Sequence, residues 1–278
     1  MRTETLPMGA ESLPMRTETL PSLRRVWRDH VRSLWIWAAA LAAITIFYMS
    51  FWPMMGAEMM AALEGMPEGL MVAMGYDRIG SAAGYLEAVI YGLLGPVLLL
   101  VYGIGLGGRL IAGQEEDGSL ELDLTAPVSR ARIYLERLAA AWLLVTCLVA
   151  AATAAVLVSV PLFDLQIPTA NVLAASLGLW LMVGGFTTLA FALGAARGRR
   201  GLALGVAAGV AVVAYVFRGV ANAAGVEVLG AFSPFAWFLD PEPLVHGVDL
   251  PSALQLLAIS LVTAPLGLWR FLKRDLMA

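Results

Sequence analysis

The sequence predicts an all-α, polytopic membrane protein with six transmembrane helices. Hydrophobic residues make up 60% of its 278 positions, and charged residues make up only 14%. A soluble domain is nearer to half apolar and a quarter charged, so this composition is typical of a chain that lies mostly in lipid. The long apolar segments and the distribution of arginine between them indicate the same fold class.

Six apolar segments have the length that one helix needs to cross a bilayer core, which is about 20 residues. They are residues 34–52, 86–108, 138–163, 172–196, 201–217 and 251–269. The fourth carries no charge, and the fifth is short because Arg218 interrupts it. The first span follows several arginines, but it is too long for a signal peptide and no small-residue cleavage site follows it, so we interpret it as a retained span.

The positive charges predict the orientation of these spans. Sixteen of the 18 Lys and Arg residues lie before the first span, between spans two and three, between spans four and five, or after the sixth. The remaining connections hold only Arg78 and Arg218. Lys and Arg concentrate in the cytoplasmic loops of membrane proteins, so we expect a multi-pass protein of the plasma membrane with both termini in the cytoplasm.

The chain begins with a polar segment that we predict to be disordered. Residues 1–21 contain the heptapeptide MRTETLP twice and are rich in Thr, Glu and Pro. We interpret the duplication as a short repeat near the start codon or a cloning remnant rather than a functional repeat. Residues 22–278 form the six-span domain. It opens with an amphipathic helix that Ser22 caps, and Val26 and Trp27 should face the lipid headgroups while its arginines meet lipid phosphates.

Two acidic features near the predicted external face leave alternatives open. Residues 53–84 are rich in Met, Gly and acidic side chains and could form an exit lid or a solvated connection. Glu87 lies at the outer edge of the second span. An intramembrane acid is functional by default, but at this depth its carboxylate could equally reach the interface.

Glycines in two spans predict close helix packing. Gly103 and Gly107 are four residues apart in the second span, and Gly201, Gly205 and Gly209 repeat this spacing in the fifth. Small residues at this interval let two helix backbones approach each other in a membrane. The contact could lie within the chain or form a moving interface between two copies.

The most polar connection is GQEEDGSLELDLTAPVSRARI, residues 113–133, between the second and third spans. Its LELDL motif alternates like a strand, but the chain offers no partner strand. As a helix, it places Leu120 and Leu124 on one face. Pro127 ends that helix, and Ser129 then caps the helix that enters the third span.

Several classes of catalytic or metal site are excluded. Lys273 is the only lysine and follows the last span, which excludes a nucleotide-binding P-loop. His30 and His246 lie outside the spans and form no His-Glu-x-x-His motif, so neither an intramembrane protease nor a metal site is expected. Cys147 is the only cysteine, and a disulfide within the chain is therefore impossible.

The 113–133 loop is similar to the cytoplasmic loop of the type-two ABC exporter permeases. The residues that carry this resemblance are Glu116, Gly118, Ser119, Leu120, Glu121, Leu124, Pro127, Val128, Ser129 and Arg130. AFSPFAWF at 231–238 resembles the Ser-Pro-Phe segment of that family, with Ser233, Pro234 and Phe235, and WRFLKRDL at 269–276 resembles its basic tail. The chain departs from the pattern at Gln114, which replaces the first acid, and at Asp123, which interrupts the leucines.

The resemblance implies a coupling helix that seats in a groove of a separate ATPase subunit and acts as a lever on the third span. It also implies short external half-helices before the last span, which the semi-apolar segment between Arg218 and Leu250 supports. Two ATPase subunits would bind ATP and Mg²⁺, while this chain would hold no cofactor and catalyse no reaction itself. A second permease copy or a sister permease would complete the transporter.

The expected function is therefore export of a lipophilic or amphipathic compound, such as a drug, an antibiotic or a lipid-like molecule, by a multidrug-type efflux system. A pathway lined by Ala, Leu, Met and Trp supports such a cargo, and no partnership with nucleic acid is expected. The alternative is an ion-coupled carrier that needs no ATPase. Such carriers usually have acids or broken helices at the middle of the membrane, and the uncharged fourth span argues against this alternative.

Overall fold

The computed structural model describes residues 21–54, 67, 70, 81–119, 129–225, 230 and 232–274. The predicted disordered extension, apart from Pro21, lies outside the described residues. So do most of the 53–84 connection and residues 120–128 of the polar loop.

Six long helices form the fold and confirm the all-α membrane class. The described residues contain no strand. The six helices are α1 (Pro21–Met49), α2 (Ala82–Glu116), α3 (Arg130–Leu162), α4 (Thr169–Arg197), α5 (Arg200–Ala224) and α8 (Leu250–Lys273), and two short helices, α6 (Pro234–Leu239) and α7 (Pro243–His246), precede the last. Each of the six is long and apolar enough to cross a bilayer.

Helix α4 is the centre of the bundle. It packs against α2, α3, α5 and α8, whereas α1 packs mainly against α3. The fourth span, residues 172–196 of this helix, carries no charge because it lies inside the bundle, where its side chains are the most buried of the six candidate spans.

Helix α1 continues without a break from its basic beginning into the first span. The predicted amphipathic segment is therefore part of one long helix. Val26 and Leu34 are buried in the protein core rather than directed at headgroups. The structure thus shows that one face of this segment contacts the other helices.

Helix α2 contains two π-helical segments, Glu87–Leu94 and Arg109–Gly113. The first is followed directly by Gly95 and Pro96, where the α-helix resumes and the proline has no N–H to donate. A Cβ atom at Gly95 would lie 2.7 Å from the carbonyl oxygen of Ile90, so the wide turn requires a glycine here. Glu87 lies buried in this first π-helical segment.

Helix α5 continues past Arg218 to Ala224, beyond the predicted end of the fifth span at residue 217. The Arg218 guanidinium is buried, and its Nε donates to Asp240 Oδ1 at 2.9 Å. Because a partner from another segment neutralises this charge, the helix need not stop at the arginine.

Candidate functional site

The ends of five helices meet at one end of the bundle, which we call the arginine-rich end. It contains the last turn of α2, the beginnings of α3 and α5, the last turn of α4, and Arg274, which follows α8. The polar 113–133 loop leaves and re-enters the bundle here. Helices α6 and α7 precede α8 at the opposite end.

Some of the predicted coupling residues fall within the described residues, and others do not. Glu116, Gly118, Ser119, Ser129 and Arg130 are described. Leu120, Glu121, Leu124, Pro127 and Val128 lie outside the described residues, and so does the predicted transverse helix. The structure therefore defines the two flanks of the loop.

The first flank is the end of α2. The backbone of Gly118 has φ +71°, a left-handed conformation that ends the helix and strongly favours glycine. Ser119 Oγ donates to the carbonyl oxygen of Gln114 at 3.3 Å, which satisfies one carbonyl group of the last turn.

The second flank is the beginning of α3, and Ser129 caps it as the sequence predicts. The backbone N–H of Arg132 donates to Ser129 Oγ at 3.3 Å, and the Ser129 backbone is extended as an N-cap requires. Within the first turns, Arg132 pairs with Glu136 at 2.7 Å. The helix that enters the third span therefore begins at a fixed residue.

Arg274 connects the two flanks. Its guanidinium forms an ion pair with the carboxylate of Glu115, and the two side chains are only 18% and 14% exposed. Its backbone carbonyl accepts a hydrogen bond from Arg130 Nη1 at 3.1 Å. A single residue after α8 thus contacts the last turn of α2 and the first residue of α3.

Glu116 makes a third connection between helices. Its Oε1 accepts a hydrogen bond from the backbone N–H of Arg200, at the first residue of α5, at 2.8 Å. A carboxylate at a helix N-terminus satisfies a free N–H group and interacts favourably with the helix dipole. Glu116 is nevertheless exposed, so part of its carboxylate remains accessible to a partner.

Gly198 provides the room for the Arg274–Glu115 pair. It ends α4 with φ +65°, and a Cβ atom there would overlap Arg274 and lie 2.7 Å from Glu115 Oε1. Glycine is thus required both by the backbone conformation and by the adjacent side chains.

Arg137 is fully buried next to these flanks, with 1% of its surface exposed. Its Nη1 donates to the carbonyl oxygen of Leu110 at 2.9 Å, within the second π-helical segment of α2. In the sequence, Arg137, Arg200 and Arg274 indicate only the orientation of the spans. No local pattern marks them, or Glu115, as parts of a site, because their contacts join residues far apart in the chain.

At the opposite end, Ser233, Pro234 and Phe235 begin the short helix α6. Ser233 Oγ donates to the carbonyl oxygen of Ala214 in α5 at 2.7 Å, and Pro234 occupies the first helical position. The Phe235 ring packs against Tyr215 with 5.2 Å between ring centroids. Together with the Arg218–Asp240 pair, these contacts hold the segment before α8 against α5.

The two sets of predicted packing glycines lie in different surroundings. A Cβ atom at Gly103 would clash with Thr187 Oγ1 in α4, and one at Gly107 would clash with the Thr187 carbonyl and lie 3.0 Å from the Phe191 nitrogen. In contrast, a Cβ atom on the predicted packing glycines of α5 would meet no other atom within 4 Å; these glycines are Gly201, Gly205 and Gly209.

An apolar groove of about 440 Å³ lies between α2 and α5, on the outside of the bundle. Its walls include Leu93, Val97 and Val101 from α2 and Ala208 and Val212 from α5. Val101 and Val212 are 59% and 63% exposed within the chain. No charged side chain lines the groove, so it suits an apolar surface or ligand.

The described residues contain no group of three His, Cys, Asp or Glu side chains that could hold a metal ion.

Comparison with known proteins identifies one family. The family model described as ABC-2 family transporter protein matches residues 21–276. No curated protein matches the chain.

Proposed function

Because the chain belongs to the ABC-2 transporter family and is thus the membrane subunit of an ABC transporter, we propose that it exports a lipophilic or amphipathic compound from the cytoplasm or the inner leaflet. A separate ATPase subunit drives this export through the 113–133 loop. The arginine-rich end faces the cytoplasm, in agreement with the charge distribution.

The observation that carries this proposal is the fixation of both flanks of the loop. Glu115 and Glu116 on one side and Arg130 on the other bond to residues of the bundle. A loop with fixed flanks can transmit a push from a partner protein to the helices, whereas loosely attached flanks would absorb it. Any ATP hydrolysis has to occur in another chain, because this sequence contains no P-loop.

The groove between α2 and α5 supports the proposed class of cargo. Its lining is almost entirely apolar, and it is open to the outside of the bundle. A second copy of the chain, or a sister permease, would cover it and create an enclosed path between two subunits. A compound that partitions into lipid could enter such a path laterally, whereas a sugar or a metal ion would find no charged side chain and only the Tyr215 hydroxyl as a polar side-chain group.

Copurification with an ABC ATPase subunit coexpressed from the same genome tests the proposal. We expect the tagged wild-type chain to retain the ATPase in detergent, and the double variant Glu116→Arg/Arg130→Glu to lose it. Reversal of Arg197, an exposed charge at the same end but outside the loop, should leave the ATPase bound.

Glu116→Gln separates the two roles of that residue. The amide keeps an oxygen that accepts from the Arg200 N–H, but it removes the charge offered to the ATPase. Partial loss of binding in this variant supports a direct charged contact. If the wild-type chain retains no ATPase although both proteins are folded, the ATP-driven mechanism is wrong and an ion-coupled carrier becomes the better explanation.

A further inference from the structure

The Arg274–Glu115 ion pair connects helices that otherwise contact each other mainly through α4. Helix α8 packs mostly on α4, and α2 also packs mostly on α4. At the arginine-rich end, however, Arg274 bonds directly to Glu115 in the last turn of α2. The pair is therefore a direct link between the loop flank and the sixth span.

The pair has the features of a firm connection. Both side chains are largely buried, and charge-assisted hydrogen bonds of this kind are shorter and stronger than neutral ones. Gly198 lies against both of them and leaves no room for another side chain. The Arg274 carbonyl also accepts from Arg130, so the residue is held by its backbone as well as its side chain.

We propose that Arg274 is a positioning residue that transmits movement of the 113–133 loop to the sixth span. This inference rests on the proposed function, because it presumes that an ATPase moves the loop. Glu115 and Arg130 lie on opposite flanks of the loop, and both bond to Arg274. A displacement of the loop that carries both flanks must therefore carry Arg274 and the end of α8.

The Glu116–Arg200 hydrogen bond acts in parallel on the fifth span. Movement of the 113–133 loop is thus transmitted to the third, fifth and sixth spans rather than to the third span alone. Without Arg274, the loop would still hold the ATPase, but the sixth span would no longer follow its movement.

A labelling experiment on the complex with the ATPase in lipid nanodiscs tests this role. Cys147 is replaced by Ala and Val248, an exposed residue just before α8 at the opposite end, is replaced by Cys. The rate of reaction with a water-soluble maleimide is measured with and without ATP and vanadate. In this background, we expect ATP to change the labelling rate.

Arg274→Glu should abolish the response while the ATPase remains bound. We expect the ATP-dependent ratio of labelling rates to fall about fivefold or more, the lower end for coupling between distant sites. The exchange Glu115→Arg/Arg274→Glu restores an ion pair of opposite polarity and should recover the response. Lys273→Glu makes the same charge change one residue earlier, where the ammonium group lies 4.5 Å from the Trp269 ring centroid, and should retain the response.

The outcomes separate this inference from the proposed function. If Arg274→Glu responds to ATP like the background chain, or if the background chain itself shows no response, the role of Arg274 is refuted while ATPase binding can still stand. If the exchange variant folds, binds the ATPase and fails to respond, the ion pair is not the transmitting contact. If no variant retains the ATPase, the proposed function itself is refuted.

Discussion

Gly198 shows how one residue can be fixed by its backbone and its neighbours at once. Its φ of +65° disfavours any residue with a Cβ atom, and that atom would also overlap the Arg274–Glu115 pair. In the sequence, Gly198 is only a glycine next to arginines after an apolar span. The requirement for glycine at this position follows from the structure, which places Arg274 beside it.

We expect Gly198→Ala to destabilise the protein by about 1–3 kcal/mol through backbone strain, with a further loss from displacement of Arg274. Gly225→Ala is the matched control, because Gly225 has the same φ of +65° but nothing within 4 Å of its Cβ position. Thermal unfolding in detergent measures both variants. Equal losses of stability in the two variants would show that crowding by Arg274 and Glu115 adds nothing to the effect of Gly198→Ala.

The Arg218–Asp240 pair predicts an asymmetry between single and double variants. Asp240→Ala leaves a buried guanidinium without this carboxylate and should cost about 1–3 kcal/mol, as expected for a lost hydrogen bond to a charged group. The double variant Arg218→Leu/Asp240→Ala removes the buried charge as well, so it should be more stable than Asp240→Ala. Denaturant unfolding in mixed micelles compares the two, and a less stable double variant would contradict the expectation.

At the scale of helices, the packing of α2 on α4 depends on the glycines of α2. Gly107→Ala should destabilise the fold by about 1–3 kcal/mol, because its new methyl group would press on the Thr187 carbonyl and the Phe191 nitrogen, which are backbone atoms. Gly205→Ala has open space around it and should leave the stability of the single chain nearly unchanged. Thermal unfolding of the two variants in detergent distinguishes them; similar losses would contradict the packing shown by the structure.

Helix α8 begins at a charged cap with a defined pH dependence. Hydrogen bonds from Ser252 hold the pKa of the Asp249 carboxyl below its usual value of 3.8. The cap therefore makes its full contribution to stability at pH values above the ordinary pKa of 3.8. This contribution is lost as the pH falls through the lowered pKa of the folded state. Asp249→Ala should cost about 1 kcal/mol at neutral pH.

Asp249→Asn is the informative control for this cap. An amide oxygen can still accept from the Ser252 N–H, so most of the stability should remain, but its dependence on acidic pH should disappear. Unfolding measured across the acidic range compares the variant with wild type. An unchanged pH dependence in Asp249→Asn would assign the effect to another group.

Most of these elements could be predicted from the sequence because apolar length and charge are local properties. The six spans and the Ser129 cap are confirmed. The fifth helix extends further than predicted because Arg218 pairs with Asp240. The length of the apolar segment alone does not reveal this partner. The π-helical segments of α2 were not predicted, since periodicity is uninformative in a helix that is apolar all round.

At the scale of the whole molecule, the proposed role of the groove between α2 and α5 as the path for cargo can be tested by filling it. Val101→Trp should fill part of the groove and reduce the stimulation of ATP hydrolysis by lipophilic compounds, while the ATPase remains bound. Leu261→Trp, at a comparably exposed position on α8, is the control and should retain stimulation. Hydrolysis by the reconstituted complex measures both, and normal stimulation of Val101→Trp would exclude the groove as the path.

The network at the arginine-rich end could not be predicted from the sequence. The resemblance of the loop to a family pattern identifies a segment of the chain but not the contacts that hold it. Glu115 and Arg274 are 159 positions apart, and no local rule pairs them. The charge distribution places Arg137 only near the beginning of the third span and does not indicate that its side chain is buried against a carbonyl group of α2.

The position of Arg274 in the chain also determines when the network can be completed. The ribosome makes this residue after all six spans, whereas its partners Glu115 and Arg130 are made before the rest of the third span. The early spans must therefore enter the membrane without this connection. The contacts that join both flanks of the loop through Arg274 can therefore form only after the sixth span has been made, and until then the two flanks are held by the shorter-range contacts alone.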